Sequence, residues 1–182
     1  MKISILGYSG SGKSTLAKKL AERYGAAVLH FDRVQFLPGW QVRGEEEKLE
    51  MTRKFLDTNG SWVIDGTYSK LYLARRLEES DQIILMLFGR FSCLLRVIRR
   101  YCQYKNTTRE DMGEGCNEKL DWEFVKWVLW KGRTKQKAEK FRRICEQHPQ
   151  KVIVLKNQKQ LDAYLQKTLA FSAGVQYNVG DN

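Results

Sequence analysis

The chain has 182 residues, of which 42% are hydrophobic and 12% aromatic, and this composition excludes an intrinsically disordered protein and favours a single folded domain. Its longest apolar stretches are far too short to cross a bilayer, and no segment typical of a signal peptide opens the chain. We therefore expect a cytoplasmic protein with no membrane partner. The four cysteines show no metal-binding spacing, so we assign them no function.

The net charge of +11 is concentrated in one part of the chain. Between Arg90 and Cys145 there are 15 lysines and arginines against 7 aspartates and glutamates, an excess of +8. Such a basic region indicates a polyanionic ligand, for example nucleotide phosphates, a phosphorylated acceptor or a nucleic-acid backbone. The alternative is a solvated basic helix face, which explains each lysine singly but explains the regional excess less well.

The opening stretch predicts a strand, a glycine-rich turn and a helix in succession. Ile3, Ile5 and Leu6 form a short apolar run typical of a buried strand, and positions 7–14 then spell G-x-x-x-x-G-K-S. Glycines let the backbone approach a ligand closely. The N-terminus of the amphipathic helix that follows adds unpaired N–H donors and the positive end of its dipole. In this context the motif predicts a phosphate-binding loop rather than an ordinary Gly/Ser turn.

Residues of this loop have expected tasks in binding ATP and a magnesium ion. Lys13 is placed to reach the β- and γ-phosphates, and the hydroxyl of Ser14 is placed to ligate Mg²⁺. The N–H groups of the loop are expected to converge on phosphate oxygens. The predicted cofactor-binding residues of the loop are Gly7, Ser9, Gly10, Ser11, Gly12, Lys13, Ser14 and Thr15.

The rest of the chain alternates strands with helices. Further buried strands are predicted at 26–31, 61–64, 82–88 and 151–155. Helices are predicted at 45–56, 70–79, 91–104, 120–147 with a kink at Gly132, and 158–169, followed by a frayed tail at 170–182. This alternation predicts an α/β protein with a five-stranded parallel sheet between two layers of helices.

Two aspartates follow predicted strands and are the candidate acidic groups of the site. Ligands of open α/β sheets collect at the C-terminal ends of strands, so Asp32 is expected to face the glycine loop, although it could instead cap a helix. Asp65 closes the strand at 61–64, where a carboxylate suits Mg²⁺ held through water. The sequence leaves open which of the two orients the acceptor or accepts its proton.

Two segments are expected to enclose the ligands. Residues 33–60 carry aromatic and arginine side chains and are expected to form a flap on the acceptor side, and residues 90–145 a basic helical lid. Within the lid, the polar stretch 105–117 indicates a loop that is either mobile and functional or disordered. Three tryptophans, at 122, 127 and 130, are expected to anchor their helix in the core.

Together these motifs resemble the nucleoside-monophosphate-kinase branch of the P-loop proteins. The loop G-Y-S-G-S-G-K-S-T is similar to that of adenylate kinases, and V-I-D-G at 63–66 resembles their strand-end motif. The order of this loop, H-F-D at 30–32, W-V-I-D-G-T-Y at 62–68, the lid arginines and the Trp-rich helix looks more like the bacterial DNA topology modulation proteins. The resemblance covers roughly residues 1–165.

The resemblance implies a P-loop NTPase fold of the nucleotide-kinase type, with one domain at 1–169 and a helical lid. By similarity, Lys13, Asp32 and Asp65 are catalytic, Ser14 and Asp65 hold the metal, and Arg96 joins the cofactor-binding set. Arg100 and Arg133 are the catalytic lid arginines. On the acceptor side the chain departs from adenylate kinases, because Gln35 and Thr67-Tyr68-Ser69 stand where those enzymes bind the acceptor's phosphate.

The sequence thus favours an ATP-dependent kinase that acts on a small-molecule or nucleotide acceptor, working as a monomer or homodimer. The alternative is a nucleic-acid-associated ATPase or DNA-binding modulator that uses the basic half of the chain. No helix-turn-helix, zinc finger or aromatic-basic RNA motif is recognisable, which weakens that alternative. A strong salt dependence of nucleic-acid affinity would support it.

Overall fold

The computed structural model describes residues 1–105, 107, 112, 115–118 and 120–170. The strands are β1 (Lys2–Gly7), β2 (Ala27–His30), β3 (Phe36–Leu37), β4 (Gln41–Val42), β5 (Trp62–Asp65), β6 (Gln82–Met86) and β7 (Val152–Leu155). The helices are α1 (Lys13–Tyr24), α2 (Phe31–Gln35), α3 (Glu45–Thr58), α4 (Leu73–Glu79), α5 (Arg90–Tyr104), α6 (Trp122–Lys126), α7 (Lys135–Gln147) and α8 (Gln158–Ala170). No described helix combines the length and apolar character needed to span a bilayer.

The five-stranded sheet has the order β2-β5-β1-β6-β7. All of its strand pairs are parallel, which confirms the predicted α/β class and parallel sheet. The chain leaves the central strand β1 toward β2 on one side and later crosses to β6 on the other. The connection after β1 therefore lies where the direction of winding changes, which is where open α/β sheets bind their ligands.

Helices cover both faces of the sheet, so the molecule has three layers. The strands alternate their side chains between the faces, as the two-residue period of a strand requires. On one face, α1, α5 and α8 contribute Leu16, Leu20, Cys93, Val97 and Leu161 to a cluster with Ile3, Ile5, Val63 and Ile84. On the other face, α4 and α7 contribute Leu77, Phe141 and Ile144, and α2 and α3 contribute Val34 and Leu56.

Strand β2 differs from the buried strand predicted at 26–31. It lies at an edge of the sheet, where it pairs with β5 alone, and Val28 keeps 38% of its surface exposed. The strand ends at His30, and Phe31 begins the short helix α2. Apolar composition identified the strand but could not distinguish an edge position from a central one.

The predicted helix at 120–147 is interrupted. After α6 the chain forms a π-helical segment, Trp127–Lys131, and the N–H of Gly132 donates to the carbonyl of Trp127 over 2.8 Å. Thr134 then caps α7 through its hydroxyl, which accepts from the N–H of Lys137. The break lies at the glycine where a kink was predicted.

The expectation that the three tryptophans anchor this segment in the core is wrong. Trp122, Trp127 and Trp130 are 65%, 45% and 55% exposed. Val128 and Leu129 supply the buried face of the π-helical segment instead. Of the three, only Trp130 lies inside the π-helical segment after its first residue, so only its direction differs from that on a wheel drawn with the α-helical period.

The predicted flap at 33–60 contains a small element that the sequence did not suggest. Strands β3 and β4 pair antiparallel across the turn at Pro38–Trp40, and α3 follows. In the predicted loop 105–117, residues 106, 108–111 and 113–114 lie outside the described residues, as does the predicted tail beyond residue 170.

Candidate functional site

The glycine loop between β1 and α1 is held tightly between β6 and α5. Gly7 has φ of +149°, and a Cβ placed there would lie 2.3 Å from the carbonyl oxygen of Met86. Gly10 has φ of +75°, and its Cβ would lie 2.8 Å from the carbonyl oxygen of Cys93. Both positions exclude any larger residue, because real Cβ atoms do not approach backbone oxygens so closely. Packing and backbone angle together require the glycines of the motif.

The start of α1 presents donors without a side-chain cap. Gly12 occupies the N-cap position with a left-handed backbone, and no side chain accepts from the first turn. The N–H groups of a first helical turn have no partner within the helix. The hydroxyl of Ser11 is also buried without a hydrogen-bond partner. These orphaned polar groups fit an anionic ligand such as the phosphates of ATP.

The ammonium group of Lys13 lies across the mouth of the loop. Its Nζ donates to the carbonyl oxygen of Tyr8 over 3.0 Å. A backbone carbonyl is a neutral acceptor, so a phosphate oxygen with full negative charge would compete for the same donor. Lys13 is therefore positioned to exchange Tyr8 for a phosphate.

A cleft of about 670 Å³ opens over the loop. Nine of the predicted site residues lie on its wall, while Gly7, Ser11, Asp65 and Arg133 do not. Lys18, Lys19 and Arg99 also line the cleft and add positive charge, although they were not predicted as site residues. The predicted residues on the wall are Ser9, Gly10, Gly12, Lys13, Ser14, Thr15, Asp32, Arg96 and Arg100.

Arg96 supports the loop from α5. Its Nη1 donates to the carbonyl of Ser11 over 2.8 Å, and its Nη2 donates to the side chain of Gln158. The guanidinium lies 4.2 Å from the ring centre of Phe88, a cation–π contact. Burial lowers the pKa of Arg96 from its ordinary value. The residue thus keeps the loop in shape and lines the cleft beside it.

Arg100 reaches the same cleft one turn further along α5. Its Nε donates to Oε1 of Glu118 over 2.7 Å, and only 3% of the Glu118 side chain is exposed. The guanidinium also lies 5.9 Å from the ring centre of Phe124. Sequence analysis missed Glu118, which is 18 residues from Arg100 and has no pattern that distinguishes it from the other acidic residues nearby.

Arg133 contacts both Tyr8 of the loop and Cys93 of α5. Its guanidinium lies 4.0 Å from the ring centre of Tyr8, and it donates to the carbonyl of Val128 and the Sγ of Cys93 over 2.9 and 3.1 Å.

Lys137, one turn along the chain, was not among the predicted residues. Burial, together with the charges of Lys13, Lys140 and Arg133, lowers the pKa of Lys137 to about 8. Burial is the main cause of this lowered pKa, and the three neighbouring cations add to it.

Asp32 lies in the first turn of α2 rather than at its N-cap position, which His30 occupies. Its Oδ1 accepts from the hydroxyl of Tyr68 over 2.7 Å. Burial and the charge of Asp32 raise the pKa of Tyr68, so the phenol stays protonated as a donor. Asp32 is exposed and lies on the wall of the cleft, as expected for a residue that meets a ligand.

Asp65 is buried, and its partner is His30. The two residues are register partners on β5 and β2, and Nδ1 of His30 donates to Oδ1 of Asp65 over 2.8 Å. Each side chain is 5% exposed. The next residues join this pair to the glycine loop, because Thr67 Oγ1 accepts from the N–H of Gly7 and donates to its carbonyl. Asp65 is thus fixed beside the loop but does not open directly into the cleft.

Arg76 was also missed and holds the segment between Asp65 and α4. It is completely buried, and its guanidinium donates to the carbonyls of Tyr68 and Leu71, each over 3.0 Å. It lies 4.4 Å from the ring centre of Phe31. Burial lowers its pKa to about 9. Through these contacts Arg76 fixes the backbone that carries Tyr68, the partner of Asp32.

A second cleft, of about 600 Å³, lies between β2, α1 and the flap. His30, Arg33 and Arg43 line it together with apolar side chains of the flap. Lys18 lines both clefts, so the two are adjacent. The second cleft therefore combines positive charge with an apolar surface next to the loop.

The donor set suits magnesium. The hydroxyl of Ser14 and the carboxylates of Asp32 and Asp65 offer only oxygen atoms, which Mg²⁺ prefers, and this ion keeps several waters and phosphate oxygens in its shell. Ser14 and Asp32 lie on one cleft wall.

Comparison with protein-family models and with curated protein sequences found no match. Among solved structures, the chain is similar to the crystal structure of TT1252 from Thermus thermophilus, with a TM-score of 0.54. The alignment covers 94% of this chain and 97% of that chain at 17% sequence identity. At this identity the similarity concerns the fold alone.

Proposed function

We propose that the chain is a kinase that transfers the γ-phosphoryl group of ATP to a small-molecule or nucleotide acceptor. The observation that carries the proposal is the cleft over the glycine loop, where Lys13, Ser14 and Asp32 lie together with arginines of α5. Phosphoryl transfer is catalysed mainly by positioning and by neutralising charge, which is what such a cleft offers.

On the donor side, the first-turn N–H groups and Lys13 bind the β- and γ-phosphates. Arg96 and Arg100 approach from α5, and Arg133, which lies over the ring of Tyr8, is assigned to the lid arginines. Ser14 would hold Mg²⁺ directly and Asp65 would hold it through water, and the ion would supply positive charge to offset that of the phosphates. Closure of the lid excludes water, so that the phosphoryl group passes to the acceptor.

On the acceptor side, Asp32 orients the attacking oxygen and accepts its proton when that oxygen belongs to a hydroxyl. The new bond forms between this oxygen and the γ-phosphorus, while the bond from the γ-phosphorus to the bridging oxygen breaks and ADP keeps the electron pair. Tyr68 holds Asp32 through its hydroxyl. Asp65, which is buried against His30, holds in place the segment that contacts the glycine loop.

The test is a screen of candidate acceptors with γ-labelled ATP. We expect label to appear in an acceptor with the wild-type chain and to be lost with Lys13→Ala, because the charge opposite the γ-phosphate is gone. Lys54→Ala, which removes an exposed lysine of α3, is the matched control and should keep full activity. Phosphoryl transfer that persists in Lys13→Ala would show that the reaction does not take place in this cleft.

A nucleic-acid-associated ATPase is the second candidate, and the exposed tryptophans favour it. Trp122, Trp127 and Trp130 present aromatic surface in the basic part of the chain, and single-stranded nucleic acids bind to stacked aromatics beside positive charge. This candidate predicts an affinity for DNA or RNA that falls steeply with salt. It also predicts that Trp122→Ala and Trp130→Ala weaken nucleic-acid binding and leave acceptor phosphorylation unchanged.

A further inference from the structure

The flap and the lid contact each other. The flap side of the contact is the hairpin of β3, its turn and β4, residues 36–42, which we call the flap hairpin. The indole Nε1 of Trp40 donates to the carbonyl of Asn117 over 3.1 Å. The thiol of Cys116 donates to the carbonyl of Leu37 over 3.3 Å. Two polar contacts therefore join segments that are 77 and 79 residues apart in the chain.

Trp40 has a backbone conformation that a bulky residue rarely adopts. Its φ is +67°, in the left-handed region. Its ring packs edge-on against Phe36, with 5.3 Å between the ring centres. Backbone strain of this kind persists only where the surrounding contacts fix it, and it is concentrated at functional segments. The bond to Asn117 is one of these contacts, so the hairpin is shaped to present the indole to the lid.

Glu118, the residue after Asn117, connects this contact to the cleft. Glu118 and Asp65 are the two buried carboxylates in the part of the chain that the structure describes. A buried carboxylate is costly unless its charge is paired. The partner of Glu118 is Arg100, which lies on the wall of the cleft over the glycine loop. Oε1 of Glu118 lies 2.7 Å from Nε and 2.5 Å from Nη2 of the arginine, so Arg100 is held by a residue next to the flap contact.

The flap hairpin also lines the second cleft. Phe36 and Pro38 lie on the wall of that cleft, on either side of Leu37, which accepts from the thiol of Cys116. A ligand in the second cleft would contact the hairpin and restrict its movement. The contacts with the lid would pass this restriction to residues 116–118. The second cleft is adjacent to the first, which is the position expected of an acceptor.

We propose that Glu118 is a positioning residue that fixes Arg100 on the wall of the cleft, and that the flap hairpin holds Glu118 in place. An acceptor bound in the second cleft then helps to fix the arginine over the glycine loop. This inference rests on the proposed kinase function, because it assigns Arg100 to the transferring phosphoryl group. As a consequence, Arg100 acts fully only when the acceptor is bound, which limits the transfer of phosphoryl groups to water.

Steady-state kinetics test the role of Glu118. Glu118→Gln removes the charge and keeps the shape, and should lower kcat at least about threefold while the KM for ATP changes less than about twofold. Glu123→Gln is the matched control, because it makes the same change at an exposed carboxylate in the same part of the chain, and it should leave kcat unchanged. In an Arg100→Gln background, Glu118→Gln should cause no further loss of kcat, because the effects of residues that act through one another are not additive. Losses that multiply in the double variant would overturn the proposal.

Trp40→Phe tests the flap contact while Glu118 stays intact. It keeps a ring against Phe36 but removes the N–H that donates to Asn117. Hydrogen exchange of the full chain without ligand, followed by mass spectrometry, should be at least about threefold faster at the N–H of Glu118, which donates to the carbonyl of Thr107 over 3.2 Å. Helix α8 should exchange as in the wild type.

The two assays separate the two ways to fail. Trp40→Phe should lower kcat in the wild-type chain but not in Arg100→Gln, and an equal loss in both backgrounds would overturn the proposal. Unchanged exchange at Glu118 in Trp40→Phe would refute the link between flap and lid, even in an active kinase. A chain that phosphorylates none of the candidate acceptors would refute the proposed function, while the exchange result would still decide on the link.

Discussion

The buried pair of His30 and Asp65 allows a quantitative prediction of stability. Substituting His30 by alanine leaves the carboxylate of Asp65 in a site where both side chains are 5% exposed. A hydrogen bond to a charged group contributes roughly 1.5–3 kcal/mol, and a buried polar group left without its partner costs about 1–3 kcal/mol, or more when it is charged. We therefore expect His30→Ala to lower the free energy of unfolding by about 3 kcal/mol, a large part of the 5–15 kcal/mol typical of a domain.

The measurement is urea denaturation at neutral pH, supported by thermal unfolding. For a chain of this size a loss of about 3 kcal/mol corresponds to a fall in Tm of roughly 6–12 °C. His148→Ala is the matched control, because His148 is half-buried and its backbone N–H donates to the carbonyl of Ile144 at the end of α7, a bond that alanine keeps. The control should cost less than about 1 kcal/mol.

A double variant distinguishes the unpaired charge from a simple cavity. In the His30→Ala background, Asp65→Asn removes the negative charge and should recover part of the lost stability. A His30→Ala variant within about 1 kcal/mol of the wild type would refute the reasoning, because a buried, unpaired carboxylate cannot be that inexpensive. Equal stability of the single and double variants would assign the loss to the cavity.

Three further predictions concern the glycine loop and the cations around it. The negative charge of ATP should raise the lowered pKa of Lys137, so ATP binding near pH 8 should be accompanied by uptake of a proton. Titration calorimetry in buffers of different ionisation enthalpy should detect this proton uptake, and Lys137→Met should abolish it. Arg100→Gln should lower kcat by at least about tenfold and ATP affinity by less, as expected of a group that acts on the transferring phosphoryl; equal losses in steady-state kinetics would contradict a lid role. Gly10→Ala should abolish ATP binding in equilibrium dialysis, because the new Cβ would collide with Val97 and the backbone of Cys93; unchanged affinity would show that the loop tolerates a shift.

The parts of the fold that depend on local pattern were predictable from the sequence. The position of the glycine loop between a buried strand and a helix could be predicted because the sequence pattern of each element extends over only a few neighbouring residues. The alternation of apolar strands with amphipathic helices was enough to predict the parallel sheet. Asp65 was identified as a strand-end acid for the same reason.

The parts that depend on distant residues were not predictable. His30 pairs with Asp65 only because β2 and β5 are neighbours in a given register, and 35 residues separate the two. The environment of Arg76 depends on a loop that folds over its side chain. The direction of the exposed Trp130 side chain depends on a π-helical turn that no local sequence pattern predicts.

The most direct test of the central claim is a crystal structure with magnesium and a non-hydrolysable ATP analogue. We predict that Nζ of Lys13 leaves the carbonyl of Tyr8, now 3.0 Å away, and binds an oxygen of the β- or γ-phosphate at about 2.8 Å. The first-turn N–H groups of α1 should point at the same phosphates. An analogue bound elsewhere, with Lys13 still bonded to Tyr8, would contradict the account.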